Sequence, residues 1–255
     1  MKRKKFILGC STWFGILLGW QLLVMTNWVP GALVPSPQSV FVTFGNLLVH
    51  GYGGTTLREH FLITMYRLGS ALLLAVVLGV PLGMLSGYFE KVQFIVEPLV
   101  QFIRPIPPLA YYTLLILWLG ITDISKIGLL LIAAFAPVYL ASLVAVKKVP
   151  QKLIQSAQSL GASSKQVFTY VIFPAALPEI FTGIRIASGV AYTTIVSAEM
   201  VAASSGIGWM IIDASRYLKS SVMFVGIIIL GVTGICLDLG VKQIAQYFTK
   251  WSSER

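Results

Sequence analysis

Long apolar runs, each near the length needed to cross a bilayer, dominate this chain. A membrane helix needs roughly 20 mainly apolar residues to span about 30 Å of hydrocarbon. Phe6 to Thr26 meets that requirement with no charged residue, and so does Leu68 to Tyr88. Pro105 to Ile121 is shorter and begins in a proline cluster, yet is strongly apolar. Ile127 to Val146 is a clean run. Ile186 to Ala203 contains one carboxylate, Glu199, and Val222 to Val241 contains Asp238 near its end. The pattern predicts an all-α integral membrane protein with six transmembrane helices in a single domain, residues 1–255. Within it, 1–60 forms the N-terminal helix and outer loop, 61–248 the core, and 147–185 a cytoplasmic loop. Charged residues make up only 11% of the chain, against about 25% in soluble domains. Much of the surface therefore meets lipid rather than water.

The net charge of +10 suggests nucleic-acid binding only until the basic residues are located. They sit in short gaps between the apolar runs, where they set orientation. Basic residues favour the cytoplasmic side. With the N-terminus inside and six spans, 14 of the 19 basic residues fall inside, so both termini are expected in the cytoplasm. Lys2-Arg3-Lys4-Lys5 followed by Ile7-Leu8-Gly9-Cys10 imitates a lipoprotein signal. Too few apolar residues precede Cys10 for cleavage, and the apolar run continues past it, so the segment reads as an uncleaved first helix. Cys10 and Cys236 lie at opposite ends of the chain, and with His50 and His60 they form neither a disulfide framework nor a metal site.

Two connections are long. Asn27 to Arg67 holds Pro30, Pro35 and Pro37, then an amphipathic stretch, Val40 to Leu48, read as a helix lying on the membrane surface. Lys147 to Arg185 is more informative. Pro150 starts one short helix, and Gly161 stops it in a left-handed conformation. Ser163 or Ser164 caps a second helix, with Val167, Tyr170 and Val171 on one face, which Pro174 ends. Leu153, Ile154 and Leu160 are then apolar knobs on a cytoplasmic loop, and such knobs want a partner surface.

This loop resembles the signature of binding-protein-dependent ABC importer permeases: E-A-A, three residues, G, nine residues, I-x-L-P. Here the elements are Gln155-Ser156-Ala157, Gly161, and Val171-Ile172-Phe173-Pro174, with every spacing kept. Gln155 stands where the signature has glutamate, so that position carries no charge. Arg104-Pro-Ile-Pro-Pro-Leu-Ala110, Leu117-Trp-Leu-Gly120 and Ala198-Glu199-Met-Val-Ala-Ala203 are similar to the taurine, alkanesulfonate and nitrate branch, most of all to its taurine members. The resemblance implies the MetI-like permease fold in a bacterial cytoplasmic (inner) membrane. It implies a coupling surface formed by Gln155, Ser156, Ala157, Leu160, Gly161, Val171, Phe173 and Pro174. It implies two copies of an ABC ATPase subunit, a periplasmic or extracellular substrate-binding protein, and a permease homodimer. The expected cargo is taurine or a similar small sulfonate; alkanesulfonate, nitrate or a vitamin precursor are the alternatives.

No phosphate-binding loop with a following Lys-Ser or Lys-Thr occurs, and no His-Glu-x-x-His or nucleophile constellation. The chain is therefore not expected to be an enzyme or to hold a cofactor or metal, and ATP would be bound by the partner. Ionisable groups inside spans are costly and usually functional. Glu199 is a candidate to meet an ammonium on the substrate path. Arg104 is a candidate to attract a sulfonate, because Pro105, Pro107 and Pro108 break the helix beside it and irregular backbone at membrane depth normally lines a cavity. A stand-alone secondary carrier is the rival class; it would need internal repeats or proton-relay carboxylates, and the sequence offers one deep carboxylate and no convincing repeat. Asp238 reads as a snorkelling or capping residue, Pro81 and Pro137 as kinks, and Tyr111, Tyr112 and Trp118 as packing or interface aromatics.

Overall fold

A computed structural model describes residues 2–26, 30–31 and 33–250, with side chains from residue 11 onward apart from Trp13. The lipoprotein-like segment through Cys10 thus lies outside the described side chains. The architecture is helical: α1 (Lys2–Met25), α2 (Pro37–His50), α3 (Leu57–Tyr88), α4 (Glu90–Ile103), α5 (Pro108–Leu119), α6 (Asp123–Lys147), α7 (Gln151–Ser159), α8 (Ser164–Gln166), a π turn (Val167–Ile172), α9 (Phe173–Ala202), α10 (Ile207–Arg216) and α11 (Ser220–Phe248). Four described helical segments are long and apolar enough to span a membrane: Leu57–Tyr88, Asp123–Lys147, Ser164–Ala202 and Ser220–Phe248.

Several boundaries differ from the sequence reading, among them the start of the fifth span, which lies at Phe173 rather than Ile186. The third expected span is a pair, α4 and α5, bent by 100°. Prolines 105, 107 and 108 remove the amides that would carry the ladder across, so α4 stops at Ile103 and α5 restarts with Pro108 in its first turn. The second span starts at Leu57 rather than Leu68, so Arg67 is inside a helix and not in a loop. Pro174 does not end a helix. The π turn ahead of it shifts the ladder, Phe173 N–H bonding Phe168 O, and Pro174 falls in the first turn of α9, where its missing N–H is not needed.

The described residues sort into two compact units. One comprises 1–63 and 199–231. Its core joins Val40 and Leu47 of α2, Leu57 of α3, Ile207, Met210 and Ile211 of α10, and Val222 and Val225 of α11. Ser36 caps α2, its hydroxyl accepting from Ser39 N, and Pro37 occupies the first turn. Val40 and Leu47 are seven residues apart and therefore face the same way, so α2 buries one face against protein while Phe41, Val42 and Val49 point outward. It packs into this unit rather than simply lying on a membrane. Tyr52 closes the α2–α3 turn, its hydroxyl donating to Asp213 Oδ2 at 3.0 Å. Burial and the Asp213 carboxylate push the phenol up to about 12, so it remains a donor at neutral pH.

The other unit comprises 64–198 and 232–255. Along its α3–α6 seam, Gly83 and Gly87 let the backbones nearly touch: a side chain at Gly83 would strike the Tyr139 carbonyl, and one at Gly87 would meet Val146 Cβ at 2.7 Å. Arg67, 3% exposed, is held by Asp123 at 2.7 Å. Arg185 and Asp238 form a two-toothed ion pair, with Nη2 to Oδ2 at 2.6 Å, so Asp238 is a partner for α9 rather than a capping residue. Pro81 and Pro137 sit within helices that continue through them.

Candidate coupling surface and translocation cavity

The helix pair of the long loop is built by local chemistry. Pro150 stands at the N-cap of α7, and Gly161 takes φ +83° at its end. There Ala162 N–H bonds Ala157 O at 3.1 Å and Gly161 N–H bonds Gln158 O at 2.9 Å, the paired pattern of a Schellman closure. Ser163 then opens α8 with a full capping box: its hydroxyl accepts from Gln166 N, and Gln166 Oε1 accepts from Ser163 N at 2.8 Å.

The pair has two sides. Ile154, Ala157 and Ala162 pack on Val167, Ile172 and Ala176, so Ile154 is not the exposed knob expected and Ala157 faces inward. Gln155, Ser156 and Leu160 face outward, Leu160 being 88% exposed, and Lys152, Gln155, Ser156, Ser159 and Leu160 rim a shallow hollow. Gly161 is exposed with no atom near where a Cβ would stand. Val171 and Pro174 are half-buried, and Phe173 is 39% exposed. Only part of the predicted coupling residues therefore presents a free surface.

Arg104 lines a cavity of about 710 Å³ between α4, α5, α6 and α9. Tyr111, Pro137, Leu140, Glu97 and Glu179 share its wall. The proline break that sequence placed beside Arg104 is what aims this stretch at the cavity. Tyr112 is buried, its hydroxyl 3.4 Å from Ala198 O, while Trp118 is 70% exposed. Glu97 and Gln101 were missed, although their signal was available: with Arg104 they fall at i, i+4 and i+7 of one helix face.

Glu199 does not line this cavity. It is 0% exposed, and its Oε2 accepts from Gly208 N at 2.9 Å at the start of α10. Its carboxylate packs against Gly206, which has φ +120° and where any Cβ would strike it. His60, also fully buried, completes the turn: Gly206 N–H donates to Nδ1 at 3.0 Å, Nε2 lies 3.0 Å from Tyr52 O, and Trp209 stacks on the ring. A carboxylate against helix-start amides meets the positive end of the dipole. Glu199 is a clamp inside the fold. Among the described residues no group of three or more His, Cys, Asp or Glu is placed to hold a metal.

Residues 79–250 match the family described as binding-protein-dependent transport system inner membrane component. The chain is 37% identical over 252 residues to the taurine transport system permease protein of Escherichia coli, covering 98% of this chain and 92% of that protein. It is 35% identical to a putative aliphatic sulfonates transport permease protein of Bacillus subtilis, over 92% of this chain and 84% of that one. Against the nitrate import permease protein of Synechocystis it is 32% identical, over 88% and 82%. Among solved structures, an inward-facing methionine ABC transporter superposes with TM-score 0.65 at 18% identity, over 76% of this chain and 96% of that one. An amino acid ABC transporter superposes with TM-score 0.57 at 17% identity. These two likenesses carry the fold, the sequence relatives carry the family, and together they place this chain among the inner-membrane components of binding-protein-dependent ABC transport systems.

Proposed function

We propose that the chain is the permease subunit of a taurine importer, a single functional domain with both termini in the cytoplasm. It works as a homodimer with two copies of an ATPase subunit and a substrate-binding protein that delivers cargo from outside. The observation that carries the coupling half of this reading is the helix pair. A locally closed α7 presents Gln155, Ser156 and Leu160 outward while Ile154 and Ala157 tie it to the spans. A groove on the ATPase that receives this face moves the spans when ATP closes the two ATPases together. Arg104 draws the sulfonate into the cavity, the single basic group among the described residues on its wall. Similarity to taurine, sulfonate and nitrate permeases supports the cargo class, and the longest and strongest of those likenesses supports taurine.

The test is labelled taurine uptake by sulfur-starved cells with and without this gene, in a strain lacking other taurine systems, with excess alkanesulfonate or nitrate as competitor. Loss of uptake on deletion, with weak competition, is the expected result. Unchanged uptake overturns the cargo. Normal uptake by a Gly161→Val variant that assembles normally overturns the docking reading.

A further inference from the structure

We infer that the cavity beside Arg104 is built for a zwitterion and that Glu97 receives the ammonium; this rests on the reading above that the cavity is the translocation path. Three charged groups stand on its wall: Glu97, Arg104 and Glu179. Glu179 already has a partner, Lys148 Nζ at 2.8 Å. Glu97 accepts one hydrogen bond, from Gln93 Nε2 at 2.5 Å, and its other oxygen has no hydrogen-bond partner among the described residues. The Arg104 guanidinium has none among them either.

The two are placed to act on one small molecule. Arg104 is the C-cap of α4 and still helical, φ −52° and ψ −45°. Seven residues of helix advance about 10 Å and return to within about 20° of the same face. Glu97 and Arg104 therefore stand two turns apart on one wall, with Gln101 between them and no ion pair joining them. An acid and a base left open in a bent pair long enough to span a membrane are expensive unless a ligand or pathway uses them. The guanidinium fork suits the oxygens of a sulfonate. The carboxylate suits the three N–H donors of an ammonium. Ile132, Ala136 and Leu140 give the remaining wall an apolar character that fits a short methylene linker. An alkanesulfonate or nitrate meets Arg104 alone and leaves the second Glu97 oxygen unused. Selection at this wall would act in addition to that of the binding protein.

The experiment is uptake into proteoliposomes holding the complete complex, comparing taurine with ethanesulfonate, which lacks only the amino group, at equal occupancy of the binding protein. Wild type should carry taurine faster by about tenfold or more, the range a lost charge-assisted hydrogen bond gives. Glu97→Gln should bring the two rates together, lowering taurine uptake without lowering that of ethanesulfonate, with Glu97→Asp restoring much of the difference. Arg104→Gln should lower both cargos. Equal wild-type rates for the two cargos overturn the inference without any variant, which covers the case of a Glu97→Gln complex that does not assemble. Equal losses of both cargos in Glu97→Gln, with Arg104→Gln still damaging, overturn the zwitterion and leave the path standing. Unchanged rates in both variants overturn the path and the inference together.

Discussion

Two glycine turns in this protein look alike from a distance and are held in opposite ways. At Gly161, φ +83°, the turn closes with its own backbone, every bond spanning five residues or fewer, and the outer side is empty. At Gly206, φ +120°, the closing groups are side chains: Glu199 on α9, and His60, 146 positions earlier in the chain. The first turn is rigid by itself and open to a partner. The second exists only when three elements have come together, and its glycine is buried.

Substitutions that break this contrast should rank by how much each turn relies on its surroundings. Gly206→Val stacks backbone strain on a displaced buried carboxylate, together about 3 kcal/mol or more, so the purified complex should melt well below wild type. Wild-type melting would show that Glu199 does not close that turn. Glu199→Ala removes the acceptor and should cost about 1–3 kcal/mol, whereas Glu199→Gln keeps an acceptor for Gly208 N–H and should cost less. A selective change in taurine affinity on Glu199→Gln, with stability intact, would return that residue to the substrate path. Gly161→Val meets no neighbour and should cost only the left-handed backbone penalty, about 1–2 kcal/mol, while uptake stops. Gly161→Asn sharpens the point, because asparagine tolerates that backbone: stability should move by a few tenths of a kcal/mol, yet uptake should still fall if a partner lies against the turn.

The same contrast explains what the sequence made legible. The α7 turn was readable because Pro150, Gly161 and Ser163 act within one or two turns of themselves. The proline break at Arg104 was readable for the same reason. Glu199 is legible as a carboxylate in an apolar run, but its partners are not, since nothing local says that Gly206 and Gly208 fold back to meet it. The role of His60 is hidden for the same reason. Arg67 was counted as a loop cation because α3 begins with Glu59 and Arg58 ahead of its apolar run, so hydropathy alone started the helix eleven residues late. Ile154 looked exposed because the π turn that covers it has no signature in composition.

That π turn has a consequence best put in terms of the gene. A π turn holds one residue more than the α-helix it interrupts, so losing one codon anywhere in Val167–Ile172 would let the ladder run straight from Ser164 into α9. At most one apolar residue would be lost, and no charge would move. The segments on either side would keep nearly the same facing, because a π turn takes up its extra residue in the wider turn rather than as added rotation. An in-frame deletion of three bases here would leave a protein that still inserts and still shows the family's residues, but with Pro174 set in an unbroken ladder, where its missing N–H and its ring against the carbonyl four residues back would cost about 3 kcal/mol.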